Sequence, residues 1–77
     1  MDIENKVKKI FSDVLKISIE EINEHTSPNN NSNWDSFNTL KLVIMLEAEF
    51  DINISIEEVI NINNFSKMLI LVKEKLS

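Results

Sequence analysis

Seventy-seven residues make one small domain, because a chain of this size buries only about 60% of its unfolded surface and has no room for a cofactor domain beside a substrate domain. Eight Lys against 13 Asp and Glu leave a net charge of −5, which argues against a nucleic-acid or anionic-membrane surface and for basic protein partners. With no Cys there is no disulfide framework, thiolate metal site or cysteine nucleophile, and with no Arg there is no bidentate phosphate clamp.

The first residues, Met1 to Lys6, form neither a basic end nor an uninterrupted apolar core, and no later stretch approaches the roughly 20 apolar residues of a membrane span. A cytoplasmic chain without membrane insertion is expected. Hydrophobic content of 43% with no Gly and one Pro is too apolar for disorder and too poor in turn formers for a multi-stranded β domain. The expected class is all-α.

Ile3, Val7, Ile10, Phe11, Val14 and Ile17 recur at three- and four-residue steps opposite Lys6, Lys9, Ser12, Asp13 and Lys16, which predicts an amphipathic first helix. Asp2 is placed to cap it, and Glu4 suits the positive end of its dipole. Ser18 to Glu21 has the spacing of a capping box and predicts a short turn that buries Ile19 and Ile22. His25 to Asn33 is polar, holds the one Pro and lacks apolar periodicity, so it reads as a long loop between helices one and two, functional or mobile.

A second helix is predicted from Ser36 to Phe50, and it carries two apolar stripes. At 100° per residue, Thr39, Leu42, Val43, Leu46 and Phe50 fall within about a 100° arc, while Phe37, Leu40, Ile44 and Ala48 form another centred roughly 150° away. Either the helix is sandwiched, or one stripe meets a partner. Asp51 to Ile56 alternates with period two, but a lone strand would have nothing to pair with, so an extended connector with Ile52 and Ile54 pointing inward is expected. Ser55 to Glu58 is a second capping box opening a short third helix that ends near Asn61. Asn63 or Asn64 then caps a last helix with a stripe of Phe65, Met68, Leu69, Val72 and Leu76, and with Lys73 and Lys75 near its negative end. The expected architecture is a small four-helix bundle of three longer helices and one short one.

Ser36 follows Asp35 at the junction of the loop and the second helix. Either residue there suits a plain helix cap. Alternatively Ser36 carries a phosphate ester, whose charge the free N–H groups and dipole of a helix start would stabilise. A catalytic serine is not supported, because the one His, His25, sits in the loop without an orienting acid and reads as a solvated surface residue. Asp51, Asn53 and Ser55 imitate half a calcium loop, but Ile56 stands where the sharp turn needs Gly and Ile62 where a bidentate acid is required, so no metal site is expected. The sequons at Asn53 and Asn64 carry no weight without a secretory signal. Glu47, Glu49, Asp51, Glu57 and Glu58 run without an intervening Lys beside the second apolar stripe, the combination a docking surface needs.

From Asp35-Ser36-Phe37 through Leu46-Glu47 and Glu49-Phe50, the chain resembles an acyl carrier protein, and the resemblance runs from about Ile3 to Leu76. The Val14-Leu15 end of the first helix, the Glu20-Glu21-Ile22 turn and Ile62 to Phe65 belong to it. The resemblance implies a carrier, not an enzyme. It implies a 4'-phosphopantetheine arm attached at Ser36 by a phosphopantetheinyl transferase using coenzyme A and magnesium, with Asp35 both capping the helix and presenting its charge to incoming enzymes. The arm would hold acyl groups as thioesters, bring the thiol the chain lacks, and deliver cargo to acyl-loading and acyl-transferring enzymes with basic docking patches. Phe37, Leu40, Ile44, Glu47, Glu49, Asp51, Glu57 and Glu58 are the docking residues it suggests. Leu42, Leu46, Phe50 and Ile62 would line a channel for the acyl chain.

Four positions depart from the family's common pattern: Asn33 where Gly is usual, Phe37 where Leu is usual, and Asn38 and Lys41 where early acids are usual. Fewer early acids count against docking to fatty-acid-synthesis enzymes. Trp34-Asp35-Ser36 resembles freestanding carriers of specialised pathways (polyketide-like, peptide-synthetase-like or cell-surface modification), which is the reading favoured over one for fatty-acid synthesis. Since Met1 opens the domain and Ser77 closes it without linkers, a single discrete domain over 1–77, acting as a monomer, is expected. The other readings are a D-alanyl or aminoacyl carrier, and a small helical interaction module without a prosthetic group. The charge is uneven: residues 18–60 hold nine of the 13 acids and one of the eight Lys, which places docking around Ser36 and the two helices after it.

Overall fold

A computed structural model of the chain describes residues 2–77, with four α-helices in order: α1 (Ile3–Leu15), α2 (Ser36–Phe50), α3 (Ile56–Ile60) and α4 (Phe65–Leu76). A 3-10 turn, Ile19–Glu21, lies between α1 and α2, and no strand occurs among the described residues.

Asp2 caps α1 by accepting the Asn5 N–H at 3.2 Å. The helix ends two residues before the apolar pattern does, because Lys16 turns left-handed (φ 61°, ψ 42°) and sends its N–H to the Ser12 carbonyl. One face of α1 is fully buried at Val7, Phe11 and Leu15. Phe11 meets the Trp34 ring edge-on at 5.2 Å and the Phe65 ring edge-on at 5.0 Å. The loop before α2 and the start of α4 are thereby fastened to the same residue of α1.

The two stripes of α2 have opposite fates. Leu42 and Leu46 are fully buried and Val43 and Phe50 nearly so, whereas Phe37, Leu40 and Ile44 are 68%, 56% and 64% exposed. The helix is therefore not sandwiched, and its second stripe faces solvent. The lining suggested for an acyl chain is packed core at Leu42, Leu46 and Phe50, with Ile62 half-buried.

Glu21 accepts both the N–H and the Oγ–H of Ser18 at 3.0 Å, so the predicted turn forms. It buries Ile22 but leaves Ile19 exposed, because Ile22 departs from the turn on extended backbone and the two side chains do not share a face. In the connector, Ile54 is buried and Ile52 half-buried, and the Ile54 N–H finds the Glu47 carboxylate at 2.9 Å. A side chain satisfies the extended backbone where a neighbouring strand would otherwise be needed. Ser55 and Glu58 make the reciprocal box at 2.9 and 3.2 Å, and Asn64 caps α4 through the Lys67 N–H at 2.8 Å. Phe65, Met68 and Val72 are buried; Leu76 is exposed because the last turn of α4, exposed from Lys73 to Ser77, runs past the core.

Two helix ends use left-handed residues other than Gly, Lys16 and Asp51. The left-handed region costs about 1–2 kcal/mol for an ordinary side chain and less for Asp, while Gly adds chain entropy to the unfolded state worth about 0.5–1 kcal/mol. Lys16→Gly is therefore expected to stabilise the fold by roughly 0.5–1 kcal/mol, and Asp51→Gly by less. Urea midpoints at constant m-value measure both; a lower midpoint for Lys16→Gly would contradict the assignment.

Candidate functional site

The site grows from Trp34, which is 3% exposed and fixed against Phe11. Its indole Nε1–H donates to Thr39 Oγ1 at 2.9 Å, and that hydroxyl donates to the Asp35 carbonyl at 2.8 Å. The indole thus grips the first turn of α2 while its ring stays in the core. Asp35 is the N-cap of α2: its backbone is extended and its carboxylate accepts the Asn38 N–H at 2.8 Å. Ser36, the first residue of α2, is exposed.

The hydrogen bonds around Ser36 belong to its neighbours. Asn38 Nδ2–H donates to the Asn33 carbonyl at 2.7 Å, and Asn33 Nδ2–H donates to the carbonyl of Leu15, the last residue of α1, at 2.8 Å. The loop is not loose. Asn23, Asn30 and Asn31 accept backbone N–H groups of His25, Ser27 and Asn33 at 2.8 to 3.1 Å, Asn30 Nδ2–H donates to the His25 carbonyl at 2.7 Å, and the carbonyl of buried Thr26 accepts the Phe65 N–H at 2.8 Å. Asparagines that read as composition are a run of turn-forming side chains. His25 is almost fully exposed, 3.8 Å from Glu24.

Asp35, Ser36 and Phe37 come together at one helix start, and Leu40 and Ile44 continue the exposed face from there. Lys41 Nζ lies 5.6 Å from the Phe37 ring centroid on the same helix. The acids expected to form a free docking run are partly committed elsewhere. Glu49 pairs with Lys6 at 3.1 Å, Glu58 pairs with Lys75 at 2.8 Å, and Glu47 holds the connector. Asp51 is the left-handed end of α2, and Glu57 is exposed on α3. Lys75 first, and the Ser55 N–H next, hold the Glu58 carboxyl below its ordinary range; Ser18 does the same to Glu21.

What the geometry offers is an exposed primary hydroxyl at the start of a 15-residue helix, whose first-turn N–H groups and dipole favour an anion, with no general base hydrogen-bonded beside it. This fits a phosphoester-linked group. Residues 5–72 match the family described as the phosphopantetheine attachment site. The acyl carrier protein of Buchnera aphidicola subsp. Schizaphis graminum is 34% identical over 96% of this chain and 94% of its own, and that of Buchnera aphidicola subsp. Acyrthosiphon pisum (strain Tuc7) is 38% identical over 96% and 92%. The solution structure of a holo acyl carrier protein from Geobacter metallireducens superposes with a TM-score of 0.85 at 26% identity, over 99% of this chain and 87% of that one.

The chain belongs to the acyl carrier proteins of the phosphopantetheine-attachment family. Its members are carriers rather than enzymes and bear a covalent 4'-phosphopantetheine. Among the described residues no helix is long and apolar enough to cross a membrane.

Sequence reasoning missed the Trp34–Thr39 tie, the Asn33–Asn38 link and the structural use of Glu47. Asn38 did carry a signal, since the third residue after an N-cap lies within reach of the loop that precedes it.

Glu58 supplies a pH prediction. Its folded pKa is lowered, so its interactions add stability that is complete above the unfolded carboxylate value and fades as pH falls through the folded one. Lys75→Ala is expected to move the Glu58 titration up toward the ordinary value, read by carboxyl carbon NMR. An unmoved titration would mean the Ser55 box alone sets it.

Proposed function

We infer that Ser36 is the residue that bears the phosphopantetheine arm and that Asp35 fixes and flanks it. The observation that carries this reading is the exposed Ser36 hydroxyl at the capped start of α2, inside the segment that matches the family. There the phosphodiester charge meets the positive end of the helix and the first-turn N–H groups of Ser36 and Phe37, which the Asp35 cap does not take. When attached, the arm supplies the terminal thiol that holds acyl groups as thioesters, and the chain has no Cys to compete with it. Ser36 contributes the linking oxygen, α2 orients it, and Trp34 keeps the helix start seated on the core.

The working partners are a phosphopantetheinyl transferase, using coenzyme A and magnesium, and enzymes that load and receive acyl cargo. Phe37, Leu40 and Ile44 give such partners apolar contact, and Asp35, Asp51 and Glu57 give a basic patch its charge complement, with Glu47, Glu49 and Glu58 adding to the field while they hold the fold. Cargo that enters the bundle parts Leu42, Leu46 and Phe50 near Ile62. Residues 1–77 act as one carrier domain, monomeric and cytoplasmic. Asn33 bonds the Leu15 carbonyl of α1 and, through its own carbonyl, Asn38, while Lys41 lies over the Phe37 ring; the scarcity of early acids on α2 supports a carrier for a specialised pathway over the fatty-acid-synthesis type.

Incubation with coenzyme A, magnesium and a permissive transferase is expected to add one phosphopantetheine to the wild-type chain by intact mass and none to Ser36→Ala. Addition to the variant would move the attachment elsewhere. Ile44→Ala, an exposed truncation that leaves the core untouched, is expected to raise the carrier KM of a docking enzyme about tenfold, as removal of a well-packed interface anchor does. An unchanged KM across such enzymes would take Ile44 out of the docking surface.

A further inference from the structure

We propose that Asn33 and Asn38 form a brace that positions Ser36 for modification, a reading that rests on Ser36 being the attachment residue. Three bonds in series make the brace. Leu15 at the end of α1 accepts from the Asn33 side chain at 2.8 Å, the Asn33 carbonyl accepts from the Asn38 side chain at 2.7 Å, and the Asn38 N–H reaches the Asp35 carboxylate at 2.8 Å. Ser36 lies between the two amides in sequence, so its place relative to α1 is set from both sides.

The Leu15 carbonyl is one of the orphan acceptors at a helix end, because the left-handed Lys16 stops α1 before the residue four places on could donate to it. Asn33 fills that vacancy from 18 residues away, so the segment that carries Ser36 also closes the end of α1. Neither Gly nor Ala at position 33 could make this bond, and neither Ala nor Asp at position 38 could donate to the Asn33 carbonyl. Trp34 holds the same segment through the core, but its tie runs to Thr39 and the Asp35 carbonyl, leaving the outer side of the turn to the two Asn.

In the modification the Ser36 Oγ–phosphorus bond forms as the bond from that phosphorus to the bridging oxygen of the coenzyme A pyrophosphate breaks; 3',5'-adenosine bisphosphate leaves, and the hydroxyl proton passes to a base of the transferase. Ser36 must present Oγ in line with the breaking bond, and a hydroxyl set in advance spares the enzyme the ordering of the turn. Loosening the brace lowers the fraction of carrier in the competent arrangement. By linkage that raises the apparent dissociation constant in inverse proportion, with turnover in the bound complex unaffected. Asn33 and Asn38 are positioning residues in this scheme, because neither is the group that reacts.

The test is steady-state modification of the full chain by a transferase with coenzyme A and magnesium, using wild type, Asn33→Ala, Asn38→Ala and the double variant. Each single variant is expected to raise the carrier KM about three- to tenfold at unchanged kcat, the range of one hydrogen bond lost. Because the bonds act in series, the double variant should be no worse than the worse single one, where independent sites would add. Thermal melts separate this from plain unfolding: Ala is a better helix former than Asn, so Asn38→Ala keeps α2 while breaking the link. Wild-type KM in both single variants, an additive double variant, or a KM rise matched by loss of folded protein at the assay temperature would each overturn the brace. A wild type modified at a residue other than Ser36 would overturn the attachment reading and the brace with it.

Discussion

Phe11 is the residue on which the rest of the structure depends. Its ring receives Trp34 edge-on from one side and Phe65 edge-on from the other, and it is fully buried by both. Edge-to-face pairs contribute about 0.5–1.5 kcal/mol beyond the area they bury, so two on one ring matter in a domain with little core to spare. Their geometric effect is larger than their energy. Trp34 is two residues from Ser36, and Phe65 donates its N–H to Thr26 near the start of the loop. A segment of more than ten residues without regular structure is thereby pinned near its start and at its end, and the exposed hydroxyl stands on a fixed helix start.

The chain solves its backbone problems without Gly. Helix ends that usually call for it are made by Lys16 and Asp51, and turns in the loop are made by Asn side chains that accept backbone N–H groups. Asn is the residue type that can do several of these tasks, because its amide both donates and accepts. Asn33 accepts through its backbone carbonyl while donating through its side chain, and Asn38 donates from both. The site therefore rests on polar geometry as much as on packing.

The helices were legible because their signals are local. Asp2, Ser55 and Asn64 sit one residue before an apolar period and cap it as expected, and the two stripes of α2 follow from the helical repeat alone. Ser36 and Asp35 were legible as a pair at a helix start, and the structure places them there; the reading of Ser36 as a modified serine came from the family resemblance. What was not legible involves partners far apart in sequence. Lys6 with Glu49, Lys75 with Glu58, and Asn33 with Leu15 depend on how helices pack, and nothing in a window of a few residues specifies them. Packing also decides Ile19 and Leu76: Ile19 lies on a different face of its turn from the buried Ile22, and Leu76 fits an apolar period that runs past the core.

In the docking role proposed for α2, the acidic charge and the exposed apolar stripe serve different steps. Burying a Phe, Leu or Ile side chain is worth roughly 1.5–3 kcal/mol, so leaving Phe37, Leu40 and Ile44 in solvent forgoes a sizeable part of the 5–15 kcal/mol typical of a folded domain. The proposed docking role gives that cost a return, since contiguous exposed apolar faces mark interaction sites. Three of the acids are committed within the fold, because Glu49 and Glu58 hold Lys6 and Lys75 and Glu47 holds the connector. In the docking role their charges would add to the long-range field that steers a basic partner toward α2 and α3, while contact energy at close range would come from the apolar stripe. Steering fades with salt and apolar contact does not, so the same helix can attract its partners by charge and hold them by shape.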